Sequence, residues 1–135
     1  MEKHIEILNE RFGKDSLMAL ATVDAGGKPW VRNIDAIFCE DSFYTITYAL
    51  SNKMAHIKNN PAVAISGEWF SGHGIGENLG HIRLDVNTEI ANRLRTAFSS
   101  WYSNGHTNED DPNTVILRIK LTDGVLFHNG AKYEF

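Results

Sequence analysis

Apolar and polar positions alternate along this chain in two different rhythms. Over residues 2–12, Ile5, Leu8 and Phe12 recur at helical spacing between charged residues, which predicts a short amphipathic helix stopped by Gly13. Residues 17–24 then form an apolar run ending at Asp24-Ala25-Gly26-Gly27-Lys28, a hairpin turn by composition. A second strand is predicted over 29–39, a turn at Glu40-Asp41-Ser42, and a third strand over 43–48, rich in aromatic and β-branched residues. The period changes over 51–60, where Met54, Ile57 and Lys58 suit one face of a short helix with Ser51 as N-cap and Pro61 as its stop.

Residues 62–70 read as a strand, and the glycine-rich stretch to Gly80 as an edge or bulged strand. Asn87 is expected to start the longest helix, with Ile90, Leu94, Phe98 and Trp101 on one stripe, and a polar acidic loop follows over 105–113. Val115, Leu117, Ile119 and Leu121 alternate with polar or outward positions as in a half-buried strand. Thr122-Asp123-Gly124 and His128-Asn129-Gly130 are expected as tight turns flanking a final hairpin. Six or seven strands on meandering turns, with helices between, predict a mainly β (α+β) antiparallel barrel with flanking helices. The elements do not alternate regularly enough for a doubly wound sheet.

The 135 residues leave room for one domain over 1–135. No run of about 18 apolar residues exists to span a membrane, and the first residues lack the apolar run of a signal peptide. Cys39 is the only cysteine, so no internal disulfide forms, and a reducing cytoplasm is the expected setting. Net charge is −4 and the longest local basic concentration is Arg93 with Arg95. That is too little to neutralise a nucleic-acid backbone. It does not exclude a single small anion, for which two or three well-placed donors suffice.

The chemistry concentrates in residues 44–61, a strand turning directly into a helix with Ser51-Asn52-Lys53 at the junction. A helix start offers unpaired N–H groups and a partial positive charge, which together hold phosphate. Ser51 would add a hydroxyl and Lys53 a full charge. In the alternative reading Ser51 is only a cap and Lys53 a solvated side chain, although the dipole favours acids in a first turn. Upstream, Arg32 and Ile34 share one face of a strand, Asn33 and Asp35 the other. A cation in an otherwise apolar alternation wants an anionic partner: a ligand, Glu68, or Asp35 of a neighbouring chain.

The order Ala21-Thr22-Val23-Asp24, Gly27-Lys28-Pro29, Arg32, Tyr44-Thr45, Ser51-Asn52-Lys53 and Asn59-Asn60-Pro61-Ala62-Val63-Ala64 resembles the pyridoxamine 5′-phosphate oxidase-like FMN-binding split barrels. The resemblance covers about residues 17–70. It implies a split barrel that works as a homodimer with FMN between the subunits. Arg32, Asn33 and Ile34 would lie along the flavin, with Thr47 and Tyr48 continuing that wall, and Ser51 and Lys53 would take the phosphate. Asn52 stands where many relatives carry a basic residue. Trp69 would either cover the flavin, from its own or the partner subunit, or be a core tryptophan. The resemblance implies an FMN-dependent oxidoreductase acting on a small-molecule substrate or redox partner, with no catalytic acid or base assigned. Members that oxidise pyridoxamine phosphate look longer, with a C-terminal extension, so another substrate is expected. A non-catalytic flavin binder is the alternative, as carrier, store or redox sensor, and relatives also bind haem or a deazaflavin. A barrel without cofactor, serving only as an interaction module, is a third reading.

Other signals carry less. Gly72 to Gly80 is not G-x-G-x-x-G, because Leu79 occupies the third glycine position, so no Rossmann site is expected. His73, His81 and His106 lack zinc-ligand spacing, and no metal is expected. There is no Gly-x-Ser-x-Gly nucleophile.

Overall fold

The computed structural model describes residues 2–135. Its strands are β1 (Ser16–Val23), β2 (Pro29–Cys39), β3 (Ser42–Tyr48), β4 (Ala62–Gly67), β5 (Phe70–His81), β6 (Thr114–His128) and β7 (Ala131–Glu134). The helices are α1 (Lys3–Phe12), α2 (Asn52–Asn59) and α3 (Thr88–Ala97). The fold is mainly β. All strand pairs are antiparallel, in the order β3-β2-β1-β4-β5-β6-β7. A further β3–β6 pairing closes six strands into a barrel, with β7 as an extension. The length of β6 makes this closure work. Residues 114–120 pair with β3 on one side, and residues 125–128 of the same strand pair with β7.

Inward residues follow the two-residue period. Met18 and Leu20 of β1, Ile34, Ala36 and Phe38 of β2, and Leu117 and Ile119 of β6 are all buried in one cluster. Helix α1 adds Ile7, Leu8 and Phe12 to that cluster, and α2 adds Met54 and Ile57. A second cluster lies outside the barrel, where Ala91, Leu94 and Phe98 meet Ile37, Ile82 and Ile116. Among the described residues, no helix is long and apolar enough to cross a membrane.

Four local expectations are corrected. The strand expected over 62–70 stops at Gly67, and a turn through Glu68 and Trp69 starts β5, because Trp69 takes a left-handed φ of 55°. The glycine-rich strand is bulged, as expected, but it is not an edge: β5 sits between β4 and β6. Its inward positions are Gly72, Gly74 and Gly76, and neighbouring groups fill the space that side chains would take. A Cβ on Gly74 would stand 2.8 Å from both Ile119 Cγ2 and the Lys120 carbonyl.

The turn expected at Thr122-Asp123-Gly124 lies within β6, where the ladder shifts register opposite His73 and Gly74. A bulge there serves where a turn was expected. Finally, α3 ends at Ala97, is no longer than α1, and Trp101 sits beyond it, stacked on Phe98 at 4.8 Å. Asn87 stands at the N-cap of that helix, as expected, but its side chain makes no capping bond; its amide donates to the Leu79 and His81 carbonyls, 3.0 Å each, and is buried in doing so. The turn at Asn129-Gly130 is present, with both residues at positive φ.

Candidate functional site

The corner where β3 passes into α2 gathers cations from two elements. Ser51 precedes the helix in an extended conformation, and its hydroxyl oxygen accepts from the Met54 amide at 3.3 Å. The cap reading is therefore correct. It also leaves the Ser51 hydroxyl proton free to donate. Among the described residues the first-turn amides of Asn52 and Lys53 have no acceptor. Lys53 folds back over the junction and its ammonium donates to the Thr47 hydroxyl. From β2, the Arg32 guanidinium donates through Nη1 to Thr22 Oγ1 at 2.6 Å, with longer contacts to the Trp30 and Leu20 carbonyls at 3.4 and 3.5 Å.

Electrostatics make this arrangement unusual. Burial, and secondarily the charge of Arg32, push the Lys53 ammonium down to about 8 from 10.5. Burial lowers Arg32 as well. Among the described residues neither cation forms an ion pair. Two like charges held together and partly out of water destabilise each other unless an anion joins them. The donor set of hydroxyl, two free amides, ammonium and guanidinium fits a phosphate monoester.

The residues expected from the sequence are distributed unevenly. Arg32, Thr47, Ser51 and Lys53 come together. Asn52 is exposed as the first helical residue, Ile34 is buried in the barrel, and Asn33 faces outward opposite Ala19. Tyr48 is exposed at the end of β3 and, with Ile46 and Thr47, borders a groove of about 350 Å³ whose far wall includes Trp101, His106 and Asp111. Trp69 stands apart at the β4–β5 tip, 69 % exposed and edge-on to Phe127 at 6.4 Å. It is not a core tryptophan. Glu68, offered as a partner for Arg32, lies in the same tip, where its carbonyl accepts from Arg11 instead.

Two residues of the corner went unnoticed in the sequence. Thr22 is fully buried, and its hydroxyl lies 2.8 Å from His56 Nδ1. A threonine on an apolar strand reads as an ordinary β-former. The available signal was its inward phase, shared with Met18 and Leu20.

The outer surface of the same sheet is built from small residues. Ala19, Ala21 and Ala64 face outward on β1 and β4, flanked by exposed Leu17, Val31 and Ile75. Candidate metal positions do not converge: His73 pairs with Asp123, Glu109 is held by Arg95, and no group of three potential ligands exists among the described residues.

Comparison with known proteins agrees with this fold. A family model described as pyridoxamine 5′-phosphate oxidase matches residues 5–127. Among solved structures, General Stress Protein 26 from Bacillus anthracis superposes with a TM-score of 0.73 at 17% identity, covering 99% of this chain and 100% of that one. A protein named F420 Reductase gives 0.64 at 21% identity, over 86% and 94% of the two chains. A FAD-binding protein from Mesorhizobium loti gives 0.69 at 14% identity, over 92% of each. No curated protein matches the chain.

Proposed function

Because the chain belongs to the pyridoxamine 5′-phosphate oxidase family, we propose that it is an FMN-binding oxidoreductase whose coenzyme phosphate sits at the β3–α2 corner. One observation carries the proposal: Lys53, held by Thr47, feels the charge of Arg32, both cations are partly buried, and among the described residues neither has an ion-pair partner. The names of its structural neighbours, FAD-binding protein and F420 Reductase, support a flavin or deazaflavin. FMN is favoured because the corner suits a single terminal phosphate. A bound flavin would supply hydride or electron transfer, while the chain binds and orients it.

The coenzyme would lie between two copies of the chain. The alanine-lined outer face of β1 and β4, with Leu17, Val31 and Ile75 exposed around it, is the surface a second copy would cover. A homodimer in the reducing cytoplasm also suits the lone Cys39. A non-catalytic flavin carrier is the second reading. It is favoured by the engagement of the corner's titratable side chains in hydrogen bonds within the chain, His56 Nδ1 with Thr22 and the Lys53 ammonium with Thr47.

The test is the visible absorption spectrum of protein supplemented with FMN and desalted. Retained flavin bands support the proposal, a Soret band in the purified protein would replace FMN by haem, and a colourless product refutes it. Turnover with a nicotinamide donor and an added acceptor separates enzyme from carrier.

A further inference from the structure

Arg32 is held close to a second cation, and something must keep it there. An arginine side chain is long and flexible, and like charge drives it outward into water. The three protein contacts of its guanidinium all involve Nη1, and two of them, to carbonyls at 3.4 and 3.5 Å, are long. The short one is to Thr22 Oγ1, 2.6 Å away. Nε and Nη2 have no acceptor among the described residues, so that edge stays available to a ligand.

Thr22 has its own requirement. Its side chain is fully buried, and arginine cannot accept, so the hydroxyl proton needs another acceptor. Within reach is His56 Nδ1, at 2.8 Å. Satisfying that proton fixes the neutral imidazole with its hydrogen on Nε2 and turns a lone pair of Thr22 toward Arg32. The β1–β2 register, Leu20 opposite Arg32 and Thr22 opposite Trp30, places the hydroxyl beside the guanidinium. Helix α2 brings His56 one turn after Lys53.

We infer that Thr22 and His56 are positioning residues: His56 orients the Thr22 hydroxyl, and Thr22 aims Arg32 at the phosphate of the ligand. This rests on the phosphate-site reading above. The ligand chemistry concerned is the phosphate monoester, not the ring it carries.

The experiment compares FMN with riboflavin, which lacks the phosphate, across Thr22→Val, Thr22→Ser and His56→Leu. Thr22→Val keeps the shape and removes one charge-assisted hydrogen bond, so FMN affinity falls roughly tenfold while riboflavin affinity holds. Thr22→Ser restores most of the FMN affinity, and His56→Leu causes a smaller loss of about threefold. In an Arg32→Gln background, Thr22→Val causes no further loss; a purely structural threonine would still cost affinity there. Equal losses for both flavins, additive losses with Arg32→Gln, or no rescue by serine would overturn the inference.

Should the wild type bind neither flavin, the FMN reading falls. The same variants are then followed with inorganic phosphate by the nitrogen resonances of His56. Wild type is expected to show the Nε2–H tautomer and a phosphate response that Thr22→Val abolishes. An Nδ1–H tautomer, or a response unchanged in Thr22→Val, would overturn the positioning role itself.

Discussion

Replacing Lys53 by methionine should stabilise the ligand-free protein while weakening its hold on FMN. Burial and Arg32 lower the ammonium from 10.5 to about 8, a difference equivalent to about 3.4 kcal/mol at roughly 1.36 kcal/mol per pK unit. The side chain is only half-buried, and water screening reduces the cost of its charge to about 1.5–2 kcal/mol. Methionine keeps the volume but loses the hydrogen bond to Thr47, which returns about 0.5–1.5 kcal/mol. The net expectation at pH 7 is a gain of about 0–1.5 kcal/mol, centred on about 0.75 kcal/mol, or roughly 3 °C in Tm.

The sign of the pH dependence follows from the same shift. Between about 8 and 10.5 the folded lysine has lost its proton and the unfolded one has kept it, so wild-type stability rises with pH across that window. In Lys53→Met this rise is absent. FMN affinity should drop about tenfold or more, since one charge-assisted contact is removed, with riboflavin little affected. Urea denaturation without ligand and flavin fluorescence titration measure the two quantities. A variant less stable than wild type without ligand, yet binding FMN as tightly, would refute the idea that Lys53 is held at a cost for the sake of an anion.

Three further outcomes are expected. Gly74→Ala places a methyl 2.8 Å from the Lys120 carbonyl and Ile119, and should cost about 1–3 kcal/mol by urea unfolding, because backbone cannot yield cheaply. Glu109 is held down to about 2, chiefly by hydrogen bonds from Arg95. Its stabilisation is full above the ordinary 4.5 and is lost as pH falls through about 2; Glu109→Gln should lower the urea midpoint at neutral pH and flatten that acid limb. Val31, 71 % exposed on the outer face of β2, should tolerate glutamate as a folded chain but lose self-association and FMN together in sedimentation and absorbance.

Much of the barrel was legible because its local signals agree with its tertiary needs. Strand alternation in β1 follows the buried face, and in β2 and β6 it is interrupted where Ile37 and Ile116 are covered from outside by the second cluster; Ser51 caps α2. The misread places share one cause: a residue whose conformation is imposed by distant packing. Trp69 turns left-handed without a glycine to announce it. Gly124 reads as a turn residue, yet it stays in β6 because it faces Gly72 beneath the Phe70 ring.

The site divides in the same way. The half proposed to take a phosphate lies on one continuous segment, from Thr47 through Lys53, where a lysine at a helix start already conflicts with the dipole. Its other half is assembled across the barrel, from Thr22, Arg32 and His56; Arg32 stands out in its own strand as a cation among apolar positions, whereas Thr22 and His56 are unexceptional in theirs. What marks them is a cost that only assembly creates. A buried hydroxyl has one partner for its proton, and two partly buried cations have no ion-pair partner among the described residues. A ligand carrying negative charge is the component that would turn that cost into binding energy.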